Sequence, residues 1–384
     1  MTMDYYRGML TQTTRIEAFR NRIAAVVQPD DTVLEIGTGL GTYAFFAAAA
    51  GAKKVWAVEG APVVNVSKTI ARVNDFHDRV EFVRGWYPGV SIPERADVLI
   101  FENYPPRLID SWTFDVLRQL HREALKPGAR VVPDRARLCV APVRAAKLWE
   151  IVGRFGADGD VAYGIDWSPS REYVYNTPLG MPISQDDLQH EARAIADVRL
   201  DRLPSAEELA GETSWTFRRS ATIHGLAYWF DMELQSGVWL SNAPGAEPGA
   251  WGYLYLPVAE PVSVPAGGNL AARVAPEVGG DGAPKWLTWE IGCGTVRYRG
   301  HEFKSFPASL SDLLPSSPSW TPELHAHAKT ELHILSMADG KRSVEQIARA
   351  VQGMDGAADM DEAVALVLTT LAGRTEPTST FTST

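Results

Sequence analysis

A glycine-rich segment near the N-terminus carries the clearest chemical signal in the sequence. Residues 35–41 read EIGTGLG, after a short apolar run and before a run of small and aromatic residues. Glycines let a backbone approach a ligand closely, and loop amides at a helix N-terminus favour a polar or anionic group. Five members of this segment are therefore candidate cofactor-binding residues: Glu35, Gly37, Thr38, Gly39 and Gly41.

An acidic residue follows at a distance that suits an adenosine ligand. Glu59 ends a second apolar run about twenty residues further on, and Gly60 follows it. A carboxylate at that place can accept hydrogen bonds from both ribose hydroxyls. NAD is the nearest rival, but a dinucleotide site needs glycine at the third place of GxGxxG. Here glycines alternate with other residues, which favours an adenosyl amino acid.

Alternating strand and helix patterns position these residues. Helical spacing of apolar residues over about 14–27 ends at the turn cluster QPDD, and a helix is predicted over 42–50. Alternation of this kind implies a parallel sheet, here of the Rossmann type. The strands predicted for it are TVLEIG, KKVWAVE, VEFVRG, DVLIFEN and a long fifth strand, ARVVPDRARLCVAPV.

The pattern changes after about residue 144. The later segments are aromatic, alternating and rich in turns, which predicts an antiparallel β-barrel or sandwich. A Pro/Ser linker near residue 311 then precedes three short helical patterns, and the last residues are too poor in apolar groups to pack. We predict an α/β domain with N-terminal helices, a β-barrel, a small helical module and a disordered tail, over 1–140, 141–310, 311–373 and 374–384.

Composition excludes several classes of function. The 384 residues include 37 Lys and Arg against 47 Asp and Glu, a formal charge of −10, and no basic arm compensates for it, so nucleic acid is not an expected partner. Cys139 and Cys293 are too few for a disulfide framework or a cysteine-built zinc site, and no metal is expected. No secretory signal or membrane span is visible. We expect a cytoplasmic protein.

Five segments taken together resemble the protein arginine methyltransferases. They are EIGTGLG, VEG ending at Gly60, LKPGARVVPDRARL, IHGLAYWFDMEL and LSNAP, and they occur in the family's order and at its distances. The resemblance covers roughly residues 5–300. It implies a methyl-donor Rossmann domain followed by a β-barrel, with S-adenosylmethionine as donor and S-adenosylhomocysteine as product.

The resemblance also implies further donor-binding residues. Arg15, five residues after Leu10, matches the arginine that holds the donor's carboxylate, and a planar guanidinium suits a carboxylate bidentately. Tyr5 and Tyr6 match an aromatic stretch that closes over the cofactor. The remaining residues predicted to bind the cofactor on this basis are Met9, Gly60, Trp86 and Glu102.

The acceptor loop departs from the family. There, two Glu on the loop after the fourth strand anchor and polarise a guanidinium, whereas this loop reads FENYPPRLIDSW. Glu102 stands at the first position. The second falls on Asp110 if the loop is one residue shorter, or it is missing if the spacing is held and Ser111 takes its place. Glu102 and Asp110 are the predicted catalytic residues, and a helix-capping Asp110 is the alternative.

A second departure lies in the barrel, where the family's Thr-His-Trp loop appears as GAW, residues 249–251. The Trp is kept and the His is lost. Tyr104, Trp251 and Tyr253 are the predicted substrate-binding residues, since aromatic rings can stack on a planar acceptor such as guanidinium or indole. Core packing explains these rings equally well. His224 is predicted to be a strand residue in the core rather than a catalyst.

Two segments suggest partners. Residues 164–188 stand where the family inserts a dimerisation arm, so the resemblance implies a homodimer. From Leu332 the chain resembles a PqqD-type winged-helix module, with Ser343 as the predicted N-cap of its second helix. Such modules bind leader peptides of ribosomally made natural products. A plain helical cap is the alternative.

The sequence therefore predicts an S-adenosylmethionine-dependent methyltransferase that modifies an arginine guanidinium in a peptide or small natural-product precursor. A second hypothesis keeps the donor and changes the acceptor to an indole carbon or nitrogen, or to a carboxylate. A third is a non-catalytic scaffold that binds peptide through its C-terminal module. That hypothesis requires a blocked donor pocket.

Overall fold

The computed structural model describes residues 3–153, 161–235, 237–246, 251–307, 320–372 and 374–375. Contacts divide the chain into two compact units, of which the first is Met1–Pro307. Most of the predicted linker and the predicted tail from residue 376 lie outside the described residues. Within the described part, no helix is long and apolar enough to cross a membrane.

The first unit opens with a five-stranded sheet in the order β3-β2-β1-β4-β5. All of its pairings are parallel, which confirms the prediction from alternating patterns. The central strand β1 is buried along its whole length, as expected for a parallel sheet covered on both faces. The bounds are β1 (Thr32–Ile36), β2 (Lys54–Glu59), β3 (Val80–Arg84), β4 (Ala96–Phe101) and β5 (Leu125–Val132).

Helices accompany this sheet. They are α1 (Met3–Leu10), α2 (Thr13–Val26), α3 (Thr42–Ala49), α4 (Val64–Val73) and α5 (Ser111–Gln119), the last continued by a π-helical turn at Leu120–Ala124. Helix α2 buries one face, which contains Arg15, Phe19 and Ile23 at spacings of four residues. That face packs against α3, β5 and the long strand β11 (Ala221–Gln235). Arg15 is thereby carried into the interior.

The remaining strands form two antiparallel sheets. One has the order β12-β11-β6-β9, with β13 also paired to β11, and the other has the order β10-β14-β15-β16. These pairings support the predicted antiparallel half but do not show closure into a barrel. The bounds are β6 (Arg135–Val143), β9 (Arg193–Arg199), β10 (Gly211–Thr216), β12 (Val238–Ser241), β13 (Leu254–Val264), β14 (Asn269–Val278), β15 (Pro284–Cys293) and β16 (Val296–His301).

The stretch predicted as one long fifth strand is in fact two strands in different sheets. Strand β5 pairs with β4 in parallel, whereas β6 pairs with β11 and β9 in antiparallel fashion. Pro133 lies between them, and a proline has no N–H with which to continue a ladder. The change from parallel to antiparallel sheet therefore falls at residues 133–134, ahead of the boundary expected at 140.

The segment predicted as a dimerisation arm packs partly on its own chain. Tyr175 is 2% exposed, and its carbonyl accepts a hydrogen bond of 2.9 Å from the Tyr298 hydroxyl. Tyr163, just before the segment, and Ile165 within it are 90% and 52% exposed. The short elements here are α6 (Ala146–Gly153), β7 (Val161–Ala162), β8 (Ile165–Asp166) and α7 (Arg171–Tyr175).

The second unit contains α8 (Ala326–Met337), α9 (Val344–Val351) and α10 (Met360–Leu371) around a small apolar core. Ser343 accepts a hydrogen bond from the Gln346 amide at 3.2 Å, and the Gln346 side chain accepts one from the Ser343 amide. This capping box confirms Ser343 as the N-cap of α9. The described residues of this unit form helices and no strand, so a winged-helix fold stays a prediction.

Candidate active site

A cavity opens at the carboxyl ends of β1, β2 and β4, the edge at which open parallel sheets bind ligands. It holds about 1040 Å³ of space free of protein atoms, including its open mouth. The lining residues are Tyr5, Tyr6, Met9, Leu10, Arg15, Ile16, Glu35, Ile36, Gly37, Thr38, Gly39, Leu40, Thr42, Tyr43, Glu59, Trp86, Ile100, Glu102, Asn103, Tyr104 and Trp251. Most of the predicted cofactor-binding residues thus meet in one place.

The glycine loop between β1 and α3 uses backbone conformations that favour glycine. Gly37, Gly39 and Gly41 have φ of 79°, 54° and 88°. A Cβ added at Gly39 would lie 3.2 Å from a ring carbon of Tyr6, so the loop also needs a small residue there for close contact. Gly41 stands outside the cavity lining, at the N-cap of α3.

Glu59 joins the end of β2 to this loop. One of its carboxylate oxygens accepts a hydrogen bond from the Gly39 amide at 2.9 Å, and the other accepts one from the Ala61 amide at 2.7 Å. Each oxygen retains acceptor capacity, because a carboxylate has about four lone-pair sites. Glu59 is 6% exposed and lines the cavity. It can therefore order the loop and still bind ribose hydroxyls.

Glu35 is a carboxylic acid buried beneath the loop. It is 3% exposed, and it accepts a hydrogen bond of 2.6 Å from the Thr38 hydroxyl. Burial raises the pKa of Glu35 to about 8, although the hydrogen bonds from Thr38 and the Ala44 amide act in the opposite direction. At neutral pH this group is therefore largely protonated and carries little charge into the cavity.

Arg15 and Glu102 form an ion pair inside the cavity. Nη2 of Arg15 lies 2.5 Å from Oε1 of Glu102, and Nη1 donates to the Gln12 side chain at 3.0 Å. Nε of Arg15 is buried without a partner among the described residues. Burial raises the pKa of Glu102, while the charge of Arg15 opposes that rise. A residue predicted to hold the donor and one predicted to hold the acceptor are thus in direct contact.

Trp251 closes the cavity from the antiparallel half. Its indole Nε1 donates a hydrogen bond of 2.8 Å to the main-chain carbonyl of Glu102. Its ring lies 5.2 Å from Cζ of Arg15, a distance that allows a cation–π interaction. Residues 249 and 250, where the family's Thr and His would stand, lie outside the described residues.

Aromatic side chains cover the donor side. Tyr6 is 6% exposed, and burial together with the charge of Glu59 raises its pKa. Trp86 is 66% exposed and lies against Gly60, because a Cβ at Gly60 would be 2.2 Å from Cε2 of Trp86. Gly60 itself is not in the lining, so its part is to let Trp86 approach.

Two predicted acceptor-side residues stand elsewhere. Asp110 is the N-cap of α5, where its side chain accepts a hydrogen bond of 2.8 Å from the Thr113 amide, and it does not line the cavity. Short acidic side chains commonly satisfy free amides at a helix start. The hydroxyl of Tyr253 accepts a hydrogen bond from the Ile183 amide at 2.9 Å, and Tyr253 is also outside the lining.

Tyr104 does reach the cavity. It is 5% exposed and lines the space beside Glu102, and its ring packs on that of Phe101 in a T-shaped arrangement, with 4.9 Å between centroids. Its hydroxyl is buried, with no hydrogen-bond partner in the part of the chain that the structure describes. The acceptor loop thus places two polar groups at the cavity wall, the half-buried carboxylate of Glu102 and the buried hydroxyl of Tyr104.

An ion pair that sequence reasoning missed fixes this loop. The guanidinium of Arg107 binds Glu302 bidentately, at 2.6 and 2.5 Å, and Glu302 also accepts the amide of Leu287 at 2.8 Å. The contact links the acceptor loop to β15 and to the turn after β16. Because the partners are far apart in the chain, no local pattern indicates it.

The polar groups that line the cavity suit an S-adenosyl ligand. Acceptor oxygens on Glu59 match a ribose, the unpartnered Nε of Arg15 matches a carboxylate, and the loop around Gly39 has the close approach that a nucleoside requires. Among the described residues, no group of three or more His, Cys, Asp or Glu side chains could hold a metal.

Sequence comparisons find similarity to arginine methyltransferases. Residues 134–277 match a family model described as the arginine methyltransferase oligomerization subdomain. Protein arginine N-methyltransferase 6 of Danio rerio is 27% identical over 260 residues, which are 64% of this chain and 73% of that protein. Histone-arginine methyltransferase CARMER of Drosophila yakuba is 25% identical over 290 residues, 71% of this chain and 53% of that protein. The match thus spans between about half and three quarters of these two relatives.

Solved structures show the same fold. A Trypanosoma brucei PRMT1 enzyme-prozyme complex with AdoHcy has a TM-score of 0.67 at 21% identity, covering 77% of this chain and 96% of that one. Arabidopsis thaliana protein arginine methyltransferase 10 has a TM-score of 0.63 at 20% identity, covering 78% and 98%.

The fold, the cavity and these relatives together define an S-adenosylmethionine-dependent methyltransferase, with S-adenosylmethionine as the methyl donor. Within that class, the chain is similar to the protein arginine methyltransferases.

Proposed function

We propose that the protein transfers a methyl group from S-adenosylmethionine to a guanidinium nitrogen of arginine, in a peptide or a small natural-product precursor. The observation that carries this proposal is the Glu102 carboxylate, which is 17% exposed and stands directly after β4 at the wall of the donor cavity. A carboxylate there can bind a cationic acceptor. The relatives of this chain are named as arginine methyltransferases, which supports the same acceptor.

On the donor side, Glu59 would accept hydrogen bonds from the ribose, and Arg15 would bind the carboxylate of the amino-acid part. Tyr6 and Trp86 would exclude water from above the glycine loop. The donor supplies an electrophilic methyl group on a sulfonium. The protein's contribution is alignment, because an in-line displacement gains much of its rate from fixed geometry.

On the acceptor side, Glu102 would accept an N–H of the guanidinium and turn another nitrogen toward the methyl group. Glu102 now shares its charge with Arg15 at 2.5 Å. When the carboxylate of S-adenosylmethionine binds the Arg15 guanidinium, Arg15 would pair less strongly with Glu102. The Glu102 carboxylate could then bind the acceptor. Its main-chain carbonyl, held by Trp251, keeps the loop in place. Transfer releases one proton from the guanidinium, and Glu102 is the nearby group that can accept it.

The test is turnover with labelled donor and an arginine-containing peptide. Replacing Glu102 by Gln keeps its shape and removes its charge, so methylation should fall at least about 100-fold. Glu81→Gln, on the exposed face of β3, is the matched control and should leave turnover unchanged. Equal turnover in wild type and Glu102→Gln would remove Glu102 from the chemistry.

A second acceptor is favoured by one observation. Asp110 caps α5 and does not line the cavity, so it does not provide a second acid for the acceptor. The aromatic residues Tyr104 and Trp251 do line the cavity. A planar indole would stack there, and a carboxylate acceptor remains the further variant of this hypothesis. Fragment mass spectrometry of the product would place the methyl group on guanidine, indole or carboxylate. The open cavity gives no support to a scaffold with a blocked donor pocket.

The proposal includes a peptide-binding role for the second unit. This unit is compact by itself and exposes apolar side chains on α8 and α10: Leu332, Leu335 and Leu368. Such a unit could raise the local concentration of a bound precursor. A chain ending at Pro307 should then keep donor affinity and lose affinity for the precursor peptide. Retained peptide affinity would favour a plain helical cap.

A homodimer and a cytoplasmic location complete the proposal. Exposed apolar side chains at residues 163 and 165 support a dimer through the arm, since large exposed apolar groups often mark interfaces. Light scattering after size exclusion would measure the mass. Tyr163→Ser together with Ile165→Ser should yield monomers, and cell fractionation would test the location.

A further inference from the structure

A buried tyrosine at the cavity wall has no part in the site described so far. Tyr43 is the second residue of α3, it is 6% exposed, and it lines the cavity. Its hydroxyl oxygen is buried, and no described residue is its hydrogen-bond partner. Buried polar groups are almost always paired, so an unpaired one at a ligand cavity points to the ligand as its partner.

The ring of Tyr43 is held by packing. Phe19 of α2 stacks on it with centroids 4.7 Å apart and an angle of 17° between the planes. Phe46 contacts it from the same helix at 6.3 Å. A tyrosine side chain fixed in this way has a fixed hydroxyl position. The group is therefore preorganised to contact whatever occupies this part of the cavity.

The surrounding charges indicate which part of the donor lies there. Burial raises the pKa of Tyr43 strongly, Glu102 and Glu35 add to that rise, and Arg15 opposes it. The hydroxyl therefore stays protonated and can donate. One of its electrostatic neighbours is Arg15, the residue assigned to the amino-acid part of the donor. Tyr6, by contrast, has Glu59 as its strongest charged neighbour and stands at the ribose end.

We propose that Tyr43 is a donor-binding residue whose hydroxyl donates a hydrogen bond to the carboxylate of the S-adenosylmethionine amino-acid group, beside Arg15. A protonated phenol can donate only one hydrogen bond, and a carboxylate is the strongest acceptor that the donor offers. The inference depends on S-adenosylmethionine as donor. It does not depend on arginine as acceptor.

Calorimetric titration of two nucleosides tests the proposal. S-Adenosylhomocysteine carries the amino-acid group, and 5′-methylthioadenosine has the same nucleoside thioether without it. Tyr43→Phe should weaken S-adenosylhomocysteine about tenfold and leave 5′-methylthioadenosine within about twofold, because only the first ligand offers a carboxylate.

A matched control is available within the chain. Tyr175 also has a buried hydroxyl that lacks a partner in the described part, but it packs on Trp149 and does not line the cavity. Tyr175→Phe should leave the affinity for both nucleosides unchanged. If it weakened S-adenosylhomocysteine as much as Tyr43→Phe does, the effect would be general loosening and the proposal would be overturned.

Thermal unfolding separates ligand binding from a structural role. Without ligand, Tyr43→Phe should unfold at the same or a higher temperature than wild type, because an unpaired buried hydroxyl has been removed. The temperature shift produced by S-adenosylhomocysteine should be smaller. A lower unfolding temperature without ligand, with equal losses for both nucleosides, would overturn the proposal.

Two further outcomes would overturn the inference, and a third would reject only the proposed acceptor. Unchanged S-adenosylhomocysteine affinity in Tyr43→Phe overturns the inference. Wild-type protein that binds neither nucleoside overturns the donor assignment and this inference with it. Absence of methylation on arginine peptides, with normal nucleoside binding, leaves Tyr43 in place and rejects only the proposed acceptor.

Discussion

The guanidinium of Arg15 and the carboxylate of Glu102 meet at 2.5 Å across the cavity. Arg15 comes from the buried face of α2 and Glu102 from the end of β4, and the two side chains are only 3% and 17% exposed. Taking one partner from such a pair leaves the other charge buried and uncompensated. Donor binding and acceptor binding are therefore expected to be coupled electrostatically.

Arg15→Lys keeps the charge and removes the planar fork. We expect S-adenosylhomocysteine to bind at least about tenfold more weakly, since an ammonium cannot hold Glu102 and a ligand carboxylate with the same geometry. The affinity for 5′-methylthioadenosine should change little. Arg20→Lys, on the exposed side of the same helix, is the control for both calorimetric titrations. Equal loss for both nucleosides would contradict the assignment of Arg15 to the amino-acid end.

Glu59→Gln should weaken the binding of both nucleosides, whereas Arg15→Lys should weaken only S-adenosylhomocysteine. An amide has one acceptor oxygen where the carboxylate has two, and both oxygens of Glu59 already bind loop amides at 2.9 and 2.7 Å. We expect both nucleosides to bind about tenfold more weakly, because both contain the ribose. Glu81→Gln on the neighbouring strand β3 should have no effect. Normal binding of either nucleoside to Glu59→Gln would disprove the ribose contact.

Glu35 should make stability depend on pH. Its pKa is about 8 in the folded protein against 4.5 ordinarily, so the folded state holds the proton more tightly than the unfolded chain. Stability from this group is full below about 4.5 and is lost as pH rises towards 8, by at most about 1.4 kcal/mol per pH unit. Urea unfolding should show a shallower pH slope for Glu35→Gln and an unchanged slope for the exposed Glu17→Gln. Parallel slopes in wild type and Glu35→Gln would show that the carboxyl is not buried in its protonated form.

Breaking the Arg107–Glu302 pair should loosen the acceptor loop. Arg107→Met leaves the Glu302 carboxylate without its partner, and we expect a loss of about 3 kcal/mol in the free energy of unfolding. The double variant with Glu302→Met should lose less, since no charge is stranded. Peptide KM should rise while nucleoside affinity stays constant.

The exposed Arg202–Glu208 pair provides a comparison for that measurement. Its side chains are 54% and 29% exposed, so breaking it with Arg202→Met should destabilise the protein much less than Arg107→Met does, because exposed ion pairs are screened by solvent. A similar cost for both pairs would mean that the Arg107–Glu302 contact is as weak as a surface pair.

The parallel sheet and the glycine loop could be predicted because their determinants are local. Gly37, Gly39 and Gly41 adopt left-handed backbone conformations next to a buried strand, and alternating apolar runs mark each strand. Glu59 follows from the same pattern. The division of the long fifth strand was missed because the apolar pattern continues across Pro133, although the hydrogen-bonding ladder does not.

The residues that were missed depend on packing between distant segments. Tyr43 lies in an apolar run, YAFFAAAA, and only its stack on Phe19 and its place at the cavity make its hydroxyl notable. Asp110 illustrates the opposite case. Spacing within the loop predicts it as a second acid, whereas its carboxylate accepts a hydrogen bond from the Thr113 amide at the start of α5.

The hydrogen bond from Trp251 to the Glu102 carbonyl has an architectural consequence. The indole belongs to the antiparallel half and the carbonyl to the parallel half, so neither half contains a finished pocket. A fragment severed at Pro133 would retain the nucleoside-facing loop but would lose the indole that steadies the acceptor carboxylate. Grafting a foreign antiparallel half onto this sheet would therefore require an equivalent indole at the same place.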